Sequence, residues 1–177
     1  MAGLFDRAKL QKDESVLIHG GSGGVGSFAV QLAANHGARV TTTASTRNKN
    51  FLQQLGAEQV IDYHTARFDE IVNHIDVVFD TVGGDTLKRS WKVLAPSGRL
   101  ITVVSDPASL EEERAKKAFF IVEPNRAQLT TIADQLRNKK IQTAVAAVIP
   151  FAQADTAYTA KANQQHSPGK VVVSVIE

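Results

Sequence analysis

A glycine-rich run near the N-terminus is the segment whose residue types and spacing suit a chemical task. Within Gly20–Gly26 (GGSGGVG), Gly21, Gly23 and Gly26 fit the spacing G-x-G-x-x-G. In that spacing the first glycine permits a tight turn, the second lets the backbone approach a diphosphate, and the third lets a helix pack closely on a strand. Free N–H groups at a helix start then bind the phosphate charge. The predicted loop residues are Gly21, Ser22, Gly23, Gly24, Val25 and Gly26.

The segments on either side of this loop supply the context that the motif needs. Ser15–His19 (SVLIH) is a predicted strand, Gly24–His36 has apolar residues at helical spacing, and Ala38–Thr43 is a β-branched second strand. A glycine loop between the strand and the helix of a βαβ unit is typical of dinucleotide-binding domains. The sequence therefore predicts a nicotinamide dinucleotide as the ligand.

The residues after the second strand indicate which nicotinamide dinucleotide is bound. An NAD site usually has Asp or Glu about 20 residues after the loop, where the acid binds the ribose hydroxyls. The segment Thr42–Asn48 (TTASTRN) contains no acid but has small hydroxyl side chains and Arg47. Arginine forms paired hydrogen bonds with phosphate oxygens, so this segment favours NADP(H) with its 2′-phosphate.

Strand-like and helix-like segments alternate along the rest of the chain. This alternation predicts one α/β domain over residues 1–177, a doubly wound parallel sheet between two layers of helices, known as the Rossmann fold. The further predicted strands are Gln59–Asp62, Asp76–Asp80, Arg99–Val104, Ala118–Val122, Ala144–Ile149 and Val171–Ile176. The further predicted helices are Asn48–Leu55, Phe68–Asn73, Gly84–Leu94, Leu110–Lys116, Arg126–Asn138 and Ala152–Ala162, with a turn at Pro96–Gly98.

Composition narrows the functional classes. The 177 residues include no cysteine, which excludes disulfides, thiolate zinc sites and a cysteine nucleophile, and the five histidines are scattered. The net charge of +2 comes without a dense basic tract, so we expect no nucleic-acid partner. The sequence has no signal peptide and no apolar run long enough for a membrane span, so we expect a cytoplasmic protein without a membrane partner.

Other enzyme classes with glycine-rich or paired catalytic motifs do not fit. Short-chain dehydrogenases need Tyr-x-x-x-Lys, whereas Tyr158 and Lys161 have one residue too few between them. No Gly-Lys-Ser/Thr follows the glycines, and Gly-x-Ser-x-Gly does not occur. His19, at the end of a core strand, is interpreted as a hydrogen-bonded core or loop histidine. We therefore predict no catalytic side chain and no metal ligand in this chain.

Four segments together resemble a known family. SVLIHGGSGGVGSFAVQLA, LGAEQVIDY, DVVFDTVGGDTL and GRLITV, in this order, are similar to the cofactor domain of medium-chain dehydrogenase/reductases, in particular the zinc-independent quinone oxidoreductase (zeta-crystallin-like) branch. The resemblance implies hydride transfer from NADPH to a quinone or an activated alkene or carbonyl. Two alternatives stay open: the cofactor domain of a zinc-type alcohol dehydrogenase, and a stand-alone nucleotide-binding sensor without turnover.

The resemblance also implies further cofactor contacts. Ser45, Arg47 and Asn48 match positions at the 2′-phosphate end, and Tyr63 matches a tyrosine near the same phosphate. The positions that border the cleft and the nicotinamide are Thr81, Val82, Val103, Val104, Phe120 and Val122.

The family pattern has consequences for domain organisation. Its members place a GroES-like catalytic domain before the segment where this sequence starts, so we expect an excised cofactor domain, or a truncated product, that is inactive alone. Residues 144–177 would pack back toward the absent domain. Family members pair through the sixth strand, so we expect a homodimer through the edge of Ala118–Val122.

Overall fold

Five parallel strands form the central sheet of the computed structural model, which describes residues 1–104, 112–159 and 168–175. The strands are β1 (Ser15–His19), β2 (Arg39–Ala44), β3 (Gln59–Asp62), β4 (Ile75–Asp80) and β5 (Leu94–Thr102), in the order β3-β2-β1-β4-β5. In the register, Val16 of β1 lies between Val40 of β2 and Val77 of β4. The doubly wound parallel sheet predicted from the sequence is confirmed.

The helices cover both faces of this sheet. They are α1 (Gly26–Asn35), α2 (Lys49–Gln54), α3 (Phe68–Ile71), α4 (Gly84–Ser90), α5 (Glu113–Ala118), α6 (Arg126–Arg137) and α7 (Ala154–Tyr158), with a π-helical turn at Ala2–Arg7. Alternate residues of β1 enter different cores: Val16 and Ile18 pack with α1 residues, whereas Leu17 packs with Phe68 and Leu87. Burial of each such side chain stabilises the fold by about 1.5–3 kcal/mol. The two cores give the three-layer α/β/α arrangement.

The strand order creates a cleft at one edge of the sheet. After β1 the chain continues to β2 on one side of β1, and after β4 it continues to β5 on the opposite side. The neighbouring strands β1 and β4 are therefore followed by connections that lead in opposite directions. Ligands of open α/β sheets bind at such a switch point, outside the carboxyl ends of the strands. His19 ends β1 and Asp80 ends β4, so the glycine loop and the segment after Asp80 line the same cleft.

The predicted sixth strand, Ala118–Val122, is wrong within the described part of the chain. Helix α5 continues to Ala118, because Ala115 and Ala118 bury their side chains in the core. Only a single parallel bridge remains, between Phe119 and Thr102 of β5. The turn predicted at Pro96–Gly98 lies inside β5, where the register against β4 shifts.

The C-terminal segments form a separate sheet. Strands β6 (Val145–Pro150) and β7 (Lys170–Ser174) pair in parallel with each other and not with the central sheet. The sequence predicted both strands but not this separation. Parts of the predicted helices at Leu110–Lys116 and Ala152–Ala162, and the end of the strand at Val171–Ile176, fall outside the described residues.

Candidate dinucleotide-binding site

The glycine loop turns the chain from β1 into α1. Gly20 has the left-handed φ of 72° that favours glycine, and the Gly23 amide donates to the Gly20 carbonyl at 3.0 Å. Helix α1 has no side-chain cap, and its first recorded bonds run from Ser27 to Gly23 and from Ala29 to Val25. The turn therefore directs main-chain amides that have no helical acceptor toward the cleft, where an anion can accept their hydrogen bonds.

Two glycines of the loop, Gly21 and Gly26, cannot be replaced without collision. A Cβ built on Gly21 would lie 2.0 Å from Thr42 Oγ1, and one on Gly26 would lie 2.1 Å from the Gly20 carbonyl oxygen. A Cβ on Gly23 would be 3.2 Å from the same oxygen, which is tight, and Gly23 and Gly24 are exposed toward the cleft. Gly21 and Gly26 thus permit close packing and Gly23 keeps the surface bare. A diphosphate fits this cradle.

Lys170 supplies a positive charge that was not predicted from the sequence. Its Nζ lies 2.9 Å from the position that a Cβ on Gly24 would occupy, so the ammonium sits directly over the loop. The loop shares a cavity of about 240 Å³ with Thr143, Ala144 and Lys170. Lys170 lies far along the chain in the separate sheet, and only the fold brings it to the loop.

The segment after β4 forms the opposite wall of the cleft. The Thr81 hydroxyl donates to the His19 carbonyl at 2.7 Å, and Val82 is about half exposed. The Asp80 carboxylate is fully buried and accepts hydrogen bonds from the amides of Val82 and Gly83 and from the Thr102 hydroxyl. Asp80 therefore shapes this wall. Asp80 was not predicted from the sequence, because a strand-end acid has no motif of its own.

His19 lies beneath the loop and is hydrogen-bonded through both ring nitrogens. Nδ1 is 3.1 Å from Thr43 Oγ1 and Nε2 is 2.9 Å from Ser90 Oγ. Burial is the main cause that lowers the pKa of His19 to about 4, against an ordinary value of 6.5. The interpretation of His19 as a satisfied core histidine is confirmed.

The segment after β2 carries the residues predicted for the 2′-phosphate. Ser45 and Asn48 are buried and contact each other, with Asn48 Nδ2 donating to Ser45 Oγ at 3.2 Å. Arg47 is exposed between them in a short 3₁₀ turn, Thr46–Asn48. Two of the three predicted residues therefore brace the turn, whereas Arg47 is the one whose side chain is exposed to a ligand.

The end of β3 lies beside this turn. The Asp62 carboxylate accepts hydrogen bonds from the Thr46 amide at 2.9 Å, from the Thr46 hydroxyl and from the His64 amide. These bonds, with the Thr46 hydroxyl as the largest cause, lower the pKa of Asp62. Tyr63 is 58% exposed and packs against the His64 ring. Asp62 thus holds the turn. It was not predicted from the sequence, because the NAD motif concerns an acid after β2 and Asp62 ends β3.

The residues predicted for the nicotinamide end differ in exposure. Val103 is half-buried and its amide donates to the Asp80 carbonyl at 3.2 Å. Phe120 is buried, with the Arg7 guanidinium 5.5 Å from its ring, whereas Val122 is 59% exposed. All three line an apolar cavity of about 420 Å³ that also reaches Val25 of the glycine loop. The fold brings this set together, although Phe120 faces inward.

No helix in the described residues is long and apolar enough to cross a membrane.

The parallel strand order, the bare glycine turn at the switch point and the cationic side chain above it define the class of the protein. It is an NAD(P)-binding domain with the Rossmann fold, of the kind that serves oxidoreductases.

The chain belongs to the zinc-binding dehydrogenase family within the medium-chain dehydrogenase/reductase superfamily, since the family model matches residues 55–173. It is 29% identical over 207 residues to a mitochondrial NAD(P)H oxidoreductase of Danio rerio, which covers 98% of this chain and 53% of that protein. The quinone oxidoreductase of Coxiella burnetii is 34% identical with a TM-score of 0.85, covering 98% of this chain and 56% of that one. CurK enoyl reductase is 30% identical with a TM-score of 0.79, covering 98% and 58%. The chain thus spans about half the length of these relatives.

The family name implies zinc, and the residues that the structure describes do not fit it. Across residues 1–104, 112–159 and 168–175, no three His, Cys, Asp or Glu side chains group in a way that could hold a metal ion. The sequence also lacks cysteine, the thiolate ligand of many zinc sites.

Proposed function

We propose that this chain binds NADPH and forms the cofactor half of a reductase. The observation that carries the proposal is the bare glycine turn at the switch point, with the Lys170 ammonium over Gly24. Preference for the 2′-phosphate is supported by Arg47, which is exposed at the end of β2 in a segment without an acid. A relative named as an NAD(P)H oxidoreductase agrees with this cofactor class.

We further propose a quinone or an activated alkene or carbonyl as the hydride acceptor. Support comes from relatives named as a quinone oxidoreductase and an enoyl reductase. NADPH supplies the hydride from its nicotinamide ring when it is bound. The residues of this chain orient the cofactor: the loop amides and Lys170 hold the diphosphate, and Val103 and Phe120 provide an apolar wall that excludes water.

Two measurements test this function. Calorimetry on the chain should give a lower Kd for NADPH than for NADH, and equal values would contradict the 2′-phosphate assignment. Turnover of NADPH with a quinone and with an enone should be found in a two-domain form and be absent from the chain alone. Binding without turnover in either form would favour a nucleotide sensor instead.

Self-association and compartment are separate proposals. With the sixth strand reduced to the Phe119 bridge, a homodimer would pair through the β5 side of the sheet, where Ile121 is 73% exposed. Light scattering should report a dimer, and a strict monomer would contradict this pairing. The cytoplasm stays our predicted compartment, while one relative carries a mitochondrial name.

A further inference from the structure

A series of buried hydrogen bonds runs beneath the glycine loop. It joins Gly20, Thr43, His19, Ser90 and the Thr86 carbonyl, and so links the loop to β2, β1 and α4. His19 and Ser90 are fully buried and Thr43 is 5% exposed. Since none of the three side chains reaches bulk water, their hydrogen bonds must be satisfied within the protein.

The direction of every hydrogen bond in this buried series can be assigned. The Ser90 hydroxyl donates to the Thr86 carbonyl at 2.7 Å, so its oxygen accepts the proton of His19 Nε2. A neutral imidazole with its proton on Nε2 has a bare Nδ1. The Thr43 hydroxyl therefore donates to Nδ1, and the Thr43 oxygen is left to accept from the Gly20 amide at 3.3 Å.

Gly20 connects this series of hydrogen bonds to the glycine loop. Its carbonyl accepts from the Gly23 amide, and the Gly26 backbone packs directly against the same carbonyl. The His19 carbonyl meanwhile accepts from the Thr81 hydroxyl of the opposite wall at 2.7 Å. A shift of His19 or Thr43 would therefore move the loop relative to the rest of the cleft.

We infer that His19, as the neutral tautomer with its proton on Nε2, is a positioning residue that aims the glycine loop through the Thr43 hydroxyl. The inference rests on the proposed function, in which the loop binds the diphosphate of the cofactor. His19 does not contact the cofactor. It acts by fixing the orientation of Thr43, which in turn holds the first amide of the loop.

The surroundings of His19 favour the neutral ring. Burial disfavours the imidazolium most strongly, the buried Asp80 carboxylate opposes this, and the Arg89 guanidinium adds to it. Arg89 itself is paired with Asp69 at 2.8 Å and with Asp85 at 2.8 Å. The Phe68 ring packs edge-on against His19, with 4.5 Å between centroids, and restricts its rotation. The ring is thus held in one orientation and one charge state.

Two substitutions of similar size separate positioning from simple packing. His19→Asn can offer its Oδ1 where Nδ1 was, so it retains the bond to Thr43 and loses the bond to Ser90. His19→Gln can place its amide where Nε2 was, so it retains the bond to Ser90 and loses the bond to Thr43. We expect both to lower the Tm, because both shrink a buried side chain. Only His19→Gln should also weaken cofactor binding, by about tenfold for NADPH and NADH alike.

Thr43→Val provides a second test that leaves no large cavity. It removes the hydroxyl at nearly constant shape, and we expect the same loss of about tenfold for both nucleotides. Equal affinities in the wild type, His19→Gln and Thr43→Val, measured on folded protein, would overturn the inference. So would equal losses in His19→Asn and His19→Gln, since that result would mean that packing alone matters.

If the chain bound neither nucleotide, the proposed function would be refuted but the inference would not. A spectroscopic measurement tests the inference independently of cofactor binding. Nitrogen-15 NMR of the histidine ring at pH 7 should show a proton on Nε2 of His19 and none on Nδ1. The amide signals of residues 20–26 should shift in Thr43→Val and stay in place in Lys117→Ala, a surface control on α5. A proton on Nδ1, or unmoved loop amides in Thr43→Val, would contradict the positioning role.

Discussion

The two ends of the candidate site are built differently. At the diphosphate end, main-chain amides are held by glycine packing and by the buried His19, Thr43 and Ser90. At the proposed 2′-phosphate end, the predicted contacts are the exposed side chains of Arg47 and Tyr63, on a turn braced from below. In the proposed binding mode, the part of the cofactor common to NADH and NADPH would lie on a buried framework, and the part that distinguishes them would lie at the surface. Changes at the first end should affect both nucleotides, and changes at the second should affect only their ratio.

The strongest test of this difference is Gly23→Val. The Cβ alone would lie 3.2 Å from the Gly20 carbonyl, and the branched methyls would enter the space of the diphosphate. We expect at least about a hundredfold loss of affinity for NADPH and for NADH, roughly 3 kcal/mol. Calorimetry measures the affinities, and a thermal melt checks that the variant is folded. A folded variant with wild-type affinity would refute the loop assignment.

The pH dependence of the free energy of unfolding tests the diphosphate end alone, because His19 is buried there. Because the pKa of His19 is about 4 when folded and 6.5 ordinarily, the unfolded chain binds the proton first as the pH falls. The contribution of neutral His19 to the free energy of unfolding is therefore complete above pH 6.5. It is lost as the pH falls from 6.5 to 4, by about 3 kcal/mol at most. The wild type should lose more free energy of unfolding than His19→Asn between pH 7 and 4.5 in urea titrations. Asp76 and Glu14, whose pKa values are lowered, titrate in both proteins and cancel. Parallel curves for the two proteins would contradict a buried neutral histidine.

Lys170→Ala removes the charge above the loop. A charge-assisted hydrogen bond to phosphate contributes about 1.5 kcal/mol, so affinity for both nucleotides should fall about tenfold. Lys117→Ala, an exposed lysine on α5, is the matched control and should change neither affinity. If Lys170→Ala altered the ratio of NADPH to NADH affinity instead, Lys170 would belong to the 2′-phosphate end.

Arg47→Ala is expected to have the smallest effect, because an exposed ion pair contributes about 1 kcal/mol or less. NADPH affinity should fall about fivefold and NADH affinity should stay constant. The NADPH affinity of the wild type should also decrease with added salt, since the contact is at the surface. An equal loss for both nucleotides would show that Arg47 supports the fold rather than the phosphate.

The central fold was predictable because its signals are local. The bounds of β1 and β3 are those predicted from short apolar runs between turn residues, and the glycine loop lies where the motif requires. The sixth strand was not predictable from its apolar run Ala118–Val122, because α5 extends into that run to bury Ala115 and Ala118. Apolar character alone does not distinguish a strand from the buried face of a helix.

The site was predictable where a motif exists and not where the fold assembles it. Lys170 reaches the loop from β7, and no spacing in the sequence connects it with Gly24. Asp80 and Asp62 are single strand-end acids whose roles follow from the amides that each accepts. His19 was predicted as a satisfied histidine, but its partners Thr43 and Ser90 come from separate elements.

The central claim is that the main-chain amides of the glycine turn bind the diphosphate of the cofactor. A crystal structure of the chain with NADPH tests it most directly. We predict diphosphate oxygens within hydrogen-bond distance of the Gly24 and Val25 amides, with the Lys170 ammonium beside them. A nucleotide bound elsewhere, or a turn closed by side chains while NADPH is bound, would contradict the claim.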